Sequence, residues 1–240
     1  MNPTVSSAAS PSSTVSPSRT RLRVWDLPTR LFHWALAVCV IGAIVTAKVG
    51  GNAMVWHFRL GVTVMALLVF RLLWGVLGGH WSRFGTFFYG PGALWRYLRG
   101  RPAPGDRFDW GHSPLGSLSV WGLLAVLAVQ VATGLVADDE IANIGPLNRF
   151  VATATASAAT GWHKAAGQWL VIALAVLHVV AVFAYLLVKR RNLIGPMLHG
   201  DQWAPAGHAL PASQDGIAQR LLALALAFGC AALAVWVLQL

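Results

Sequence analysis

The chain has 240 residues, of which 56% are hydrophobic and 11% charged, and its formal net charge is +10. Soluble domains carry roughly 25% charged residues, so this composition points to a lipid bilayer as solvent and excludes an ordinary water-soluble domain. A basic chain raises nucleic acid as a partner, but no basic cluster is interleaved with aromatic platforms, and the charge reads as a topology and anionic-lipid signal.

Residues 1–20 are rich in Ser, Pro and Ala without an apolar period, and read as a disordered cytoplasmic tail. They lack the basic start and compact apolar core of a signal peptide, so the mature chain is expected to keep this N-terminus. A helix needs about 20 apolar residues to cross ~30 Å of hydrocarbon. Residues 31–47, beside Trp25 and Trp34, form a slightly short first span, and residues 60–79, interrupted only by Arg71, form the second. Three uncharged runs follow, over 114–137, 165–188 and 221–240. The expected fold is all-α: an integral membrane four-helix bundle over residues 21–200, then a loop and a fifth transmembrane helix over 201–240.

Basic residues set the orientation. Arg19, Arg21, Arg23 and Arg30, then Arg83, Arg96, Arg99, Arg101 and Arg107, then Lys189, Arg190, Arg191 and Arg220 fall in alternate loops, thirteen of the 18 Lys and Arg residues. The positive-inside rule places those loops and the N-terminus in the cytoplasm. The opposite loops, with Asp138, Asp139 and Glu140, and the C-terminus are then periplasmic, in a bacterial inner membrane. Cys39 and Cys230 lie within spans and read as small apolar residues. The chain has no C-x-x-C-H for covalent haem, no cysteine cluster, no phosphate-binding glycine loop and no hydrolytic triad.

Histidine placement carries the chemistry. His163 and His178 lie fifteen positions apart in one apolar stretch, so on a helix they stand ~22 Å apart and within about 60° of the same face. His33 and His57 sit at the starts of the first two apolar stretches. With the N-terminus inside, His33 and His178 lie toward the cytoplasm, and His57 and His163 toward the periplasm. Matched depth pairs His33 with His178 and His57 with His163, each pair drawn from two helices, as two axial ligands of one flat macrocycle must be. Ionisable groups in membrane spans are costly and are site candidates by default. The arrangement therefore predicts two stacked non-covalent b-type haems, with these four histidines as axial ligands of the iron. A lone membrane histidine is more often a helix-to-helix hydrogen bond, and four scattered interfacial histidines are the bland alternative.

Arg71 lies fourteen positions after His57, at the depth of His33 and His178. It either pairs with a haem propionate or a quinone carbonyl, or snorkels to the interface. His80, His112, His199 and His208 fall in basic loops and are weaker ligand candidates, expected to be solvated. The tryptophans near span ends read as interfacial anchors.

At these residues the chain resembles a known family. Arg23-Val-Trp-Asp-Leu-Pro-Thr-Arg-Leu-Phe-His33-Trp, Phe70-Arg-Leu-Leu-Trp-Gly75, Gly90-Pro-Gly leading to Tyr97-Leu-Arg, Gly111-His-Ser-Pro-Leu-Gly116, and the His163 to His178 helix ending in Lys189-Arg-Arg-Asn-Leu are similar to the bacterial cytochrome b-561 and nickel–iron hydrogenase b-type cytochrome family. The similarity covers roughly residues 21–200. It implies a four-helix dihaem core that moves electrons between a periplasmic partner, a c-type cytochrome or a hydrogenase or dehydrogenase subunit, and membrane quinone. It also implies ligand roles for His33, His57, His163 and His178. Relatives commonly carry an acidic residue after the first histidine of the fourth helix, where this chain has Lys164. A haem-bearing anchor for a dehydrogenase without quinone chemistry is the alternative; a proton-relaying transporter is disfavoured by the lack of an inverted repeat or broken helix pair.

Overall fold

The structure, a computed structural model, describes residues 19–205 and 210–240. The tail expected over residues 1–20 thus lies outside the described residues apart from Arg19 and Thr20, as does His208. Among the described residues, five helical runs are long and apolar enough to cross a membrane, the number expected. α1 is Leu27–Val49 and α2 is Met54–Leu77. A short amphipathic helix, α3, Pro91–Leu98, precedes α4, Pro114–Val136. The fourth long run, α5, extends from Thr153 to Leu187. It consists of α-helix Thr153–Trp162, a π-turn His163–Gly167 and α-helix Gln168–Leu187. The six-residue α6, Ile194–His199, and the fifth long helix, α7, Ile217–Leu238, complete the helical set.

Local chemistry sets the helix starts. The Asp26 carboxylate accepts from the Thr29 amide at 2.8 Å, and Pro28 occupies the first turn of α1, where its missing N–H costs nothing. Ser113 and Pro114 repeat the device on α4, with Ser113 Oγ accepting from the Gly116 amide. α1 stops at Gly50, whose φ of 67° suits glycine. The tight connection from there into α2 makes the two helices antiparallel. The end at which α1 begins is called proximal here, and the other end distal.

The bundle is apolar outward. Val38, Ile41 and Val45 on α1, Val180 and Phe183 on α5, and Leu221, Leu224 and Phe228 on α7 are all exposed, forming the continuous apolar surface a bilayer covers. Inside, Phe32, Val62, Ala66, Phe70 and Trp74 pack with Ala223, Cys230 and Ala234, so α7 lies along α2 through small residues that permit close approach. Cys230 is buried and Cys39 half-buried, and both are free thiols.

Two features depart from the sequence reading. α5 begins at Thr153, before the run expected from residue 165; its 35 residues reach ~52 Å, longer than ~30 Å of hydrocarbon. Residues 153–162 are Thr- and Ala-rich and show no apolar run; packing on α4 makes them helical. The second departure is a two-stranded antiparallel sheet, β1 (Arg19–Arg23) with β2 (Asp201–Pro205), which places Arg21 opposite Trp203. Each strand is five residues long, and its partner is distant in sequence, so local patterning did not reveal it. The sheet closes the proximal end. There Arg23 pairs with Asp201 at 2.7 Å and Asp215 at 2.9 Å, Arg96 with Asp106 at 2.9 Å, and Arg191 with Asp109 at 2.8 Å. These acidic residues locally offset part of the basic charge at that end.

Candidate functional site

The motif residues gather at the proximal end around one buried carboxylate. Asp26 is fully buried and accepts from four groups: the Thr29 amide, Trp74 Nε1 at 3.1 Å, the Gly79 amide at 3.1 Å and Ser82 Oγ at 2.6 Å. The start of α1 is thereby tied to the end of α2. Phe70 stacks on Trp74 with centroids 5.8 Å apart, and Gly75 leaves room for Phe84, whose ring would clash with a Cβ there. Phe84 in turn covers Arg71, whose Cζ lies 4.5 Å from the ring centroid. Arg71 is 3% exposed, and its NH1 has no hydrogen-bond partner. The guanidinium is buried within the protein, within electrostatic reach of Asp26.

Beside this cluster the rings of His33 on α1 and His178 on α5 lie 6.2 Å apart, centroid to centroid, at 53°. The Nδ1 of His33 is buried and makes no hydrogen bond. His112, expected to be a solvated loop residue, instead packs its ring 4.7 Å from Trp25 and 4.3 Å from Phe87, with an unpartnered Nδ1. Burial, then the neighbouring Arg71, His33 and His178, push the His112 imidazole down to about 3, so it is neutral at physiological pH. His80 lies against Trp81, and the exposed His199 accepts from the Asp201 amide.

At the distal end His57 on α2 and His163 in α5 stand 6.0 Å apart at 86°. Both rings are fixed by backbone carbonyls: His57 Nδ1 to Ala43 O at 2.9 Å and His163 Nδ1 to Gln130 O at 2.9 Å. Each bond leaves Nε2 available. A Cβ on Gly134 would meet His163 Cε1 at 2.7 Å, so the missing side chain lets this ring lie against α4. Gln130 Nε2 also donates to the His163 carbonyl at 3.0 Å, occupying an acceptor that the π-turn leaves outside the α-helical ladder. The π-turn adds about one residue per turn, so His163 and His178 are separated by roughly 14 α-helical steps of rotation rather than 15, and the offset of their faces falls from ~60° to ~40°. A cavity of about 460 Å³ opens beside the pair, lined among others by His57, Gly61, Gln130, Gly134 and His163. Cofactor cavities measure ~300–1,000 Å³.

These distances define the chemistry. An imidazole centroid lies ~1.1 Å from its Nε2, and imidazole–metal bonds run about 2.0–2.1 Å, so one metal ion between two rings separates the centroids by ~6.3 Å. Both pairs have that spacing, and both fit a flat macrocycle held by one imidazole on each face. Among the described residues no three His, Cys, Asp or Glu side chains gather to form a protein-only metal site. The four histidines singled out from the sequence are therefore brought together as two pairs, and Arg71 lies under Phe84 and Phe87 at the proximal end. Sequence reasoning missed Asp26, Gln130 and the burial of His112. Asp26 was legible as a helix cap before Leu-Pro, and Gln130 as the polar residue of an uncharged run, but only packing shows what each holds.

The family described as prokaryotic cytochrome b561 matches residues 24–200. The chain is 23% identical over 217 residues to the Escherichia coli strain K12 protein described as "Probable Ni/Fe-hydrogenase 1 B-type cytochrome subunit", covering 74% of this chain and 88% of that protein. It is 22% identical over 221 residues to the "Probable Ni/Fe-hydrogenase B-type cytochrome subunit" of Bradyrhizobium diazoefficiens, covering 77% and 87% respectively. No solved structure matches the chain.

Proposed function

The chain belongs to the prokaryotic cytochrome b561 family, and from that membership we propose that this multi-pass membrane cytochrome binds two non-covalent b haems and carries electrons between a periplasmic redox partner and membrane quinone. The observation that carries the reading is the pair of histidine couples, 6.2 and 6.0 Å apart, at opposite ends of the bundle. Haem b, when bound, supplies one-electron redox chemistry at iron. His33 and His178 would hold the proximal iron, and His57 and His163 the distal one. Two imidazoles from the chain would hold each haem, and such a set would favour outer-sphere electron transfer over oxygen chemistry. The carbonyls of Ala43 and Gln130 fix the tautomer and plane of the distal rings. Arg71, with a free NH1 inside the bundle, supplies a donor and a positive charge for a haem propionate or a quinone carbonyl. The names of the relatives make a hydrogenase subunit the first partner to test, with a c-type cytochrome next.

The test is a reduced-minus-oxidised spectrum of purified protein with haem quantified per chain. Two haems, all extractable by acid acetone, are expected, and re-oxidation by added quinone separates a carrier from a mere anchor. One haem or none overturns the reading.

The proximal end is assigned to the cytoplasm of a bacterial inner membrane because thirteen of the 18 basic residues belong to it. Reporter fusions after Arg191 and after Leu240 are expected to score cytoplasmic and periplasmic respectively. Both on one side would mean that α7 does not span.

A further inference from the structure

We propose that Gln130 is the positioning residue of the distal site: its side-chain amide holds open the π-turn of α5, and that turn sets the face on which His163 meets His57. This rests on the ligation proposed above. Three observations carry it.

The first is rotation. His178 pairs with His33 and His163 with His57, so one helix must serve both sites, and each residue of α-helix turns the chain by ~100°. Over fifteen regular steps His163 would stand ~60° to one side of His178; with the π-turn counting as one step fewer, it stands ~40° to the other side. Closing the turn into α-helix would therefore swing His163 by ~100° relative to His178. With His178 kept against His33, the His163 ring would leave His57, whose centroid lies 6.0 Å away in the structure.

The second is the bonding that favours the open turn. In an uninterrupted α-helix the His163 carbonyl accepts from the Gly167 amide. Here Gln130 Nε2, reaching across from α4, donates to that carbonyl at 3.0 Å. The backbone carbonyl of Gln130 also accepts from His163 Nδ1 at 2.9 Å, so one residue holds the ligand by its backbone and by its ring. A π-turn gives up regular hydrogen bonding and persists where a side chain inserted into the helical ladder offsets the loss. Gln130 lies in the uncharged span of α4, where an amide is costly unless bonded, and among the described residues the His163 carbonyl is the partner of its side chain.

The third is space. A Cβ at Gly167 would clash with Gln130 Oε1 and would meet Trp162 Nε1 at 2.7 Å. Gly167 is buried and closes the π-turn, so its missing side chain admits the amide to the ladder.

The experiment measures haem content and low-temperature difference spectra of the purified wild type, Gln130→Leu, Gly167→Ala, and Gln130→Leu with Ala165 deleted. The proximal and distal components are identified with His33→Ala and His57→Ala. Gln130→Leu keeps the bulk and removes the donor, and Gly167→Ala crowds the amide off the carbonyl. Each should lose most of the distal component and keep the proximal one. Deleting Ala165 leaves fourteen α-helical steps between the two histidines, the rotation that the π-turn supplies, and should restore the distal component to the Gln130→Leu chain. A brace that merely joined α4 to α5 would gain nothing from the deletion. A full distal component in Gln130→Leu overturns the proposal, and so does a deletion that restores nothing. If His33→Ala and His57→Ala deplete one and the same component, the ligation itself falls and takes the proposal with it. Where Gln130→Leu does not accumulate, Gly167→Ala decides: an undiminished distal component there overturns the proposal.

Discussion

Replacing His33 or His178 by Ala is expected to remove one and the same haem, while His57→Ala or His163→Ala removes the other, so that each single variant retains half the haem of the wild type. The centroid separations of 6.2 Å and 6.0 Å leave room for one metal ion within each pair, and the ~22 Å that fifteen helical residues span puts the pairs too far apart to share one. The effect on electron transfer should be near-complete in all four variants, because losing either site breaks a two-station path. Pyridine haemochrome quantification with low-temperature difference spectra of the four proteins provides the check. If His33→Ala and His57→Ala deplete the same spectral component, the pairing by depth is wrong. Ligand loss from the distal pair should also leave the Gln130 and Ala43 carbonyls without their imidazole donors, so His163→Ala is expected to loosen the π-turn as well.

The second large effect is expected at Asp26. Asp26→Ala leaves the Trp74 indole N–H, the Gly79 amide and the Ser82 hydroxyl without their acceptor in a fully buried place. It also deletes the opposite charge within reach of Arg71. Breaking a buried charged network of this kind costs about 3–5 kcal/mol. The start of α1 would detach from the end of α2, and His33, seven residues further along α1, would lose its fixed position. The expected outcome is a lowered Tm in detergent together with selective loss of the proximal haem. Asp26→Asn, which keeps one acceptor oxygen of the same shape, should retain more of both. An Asp26→Ala protein that unfolds like the wild type would show that the network contributes no net stability.

The sequence by itself determined the solvent, the number of spans and the depth of the histidines, because each depends on local composition or on the fixed 1.5 Å rise of a helix. Uncharged runs long enough for the hydrocarbon could be counted, and His33, His57, His163 and His178 followed from direction of travel alone. The start of α4 at Pro114 was also legible locally, whereas α1 begins at Leu27, four residues before the apolar run that the sequence offered. What the tertiary structure decided concerns contacts between distant segments. β1 needs β2, far along the chain, before either is a strand, and residues 153–162 become helix by packing on α4 rather than by apolar patterning. The π-turn cannot be read from His163-Lys-Ala-Ala-Gly167, yet it reduces the angular offset between His163 and His178. Arg71 offered two readings of equal standing in the sequence, and the burial of its guanidinium under Phe84, admitted by Gly75, is set by tertiary packing. The difference in hydrogen bonding between the two histidine pairs is likewise tertiary, since it lies in which backbone carbonyls happen to stand behind each imidazole, and sequence spacing specifies depth and face but not the acceptor behind a ring.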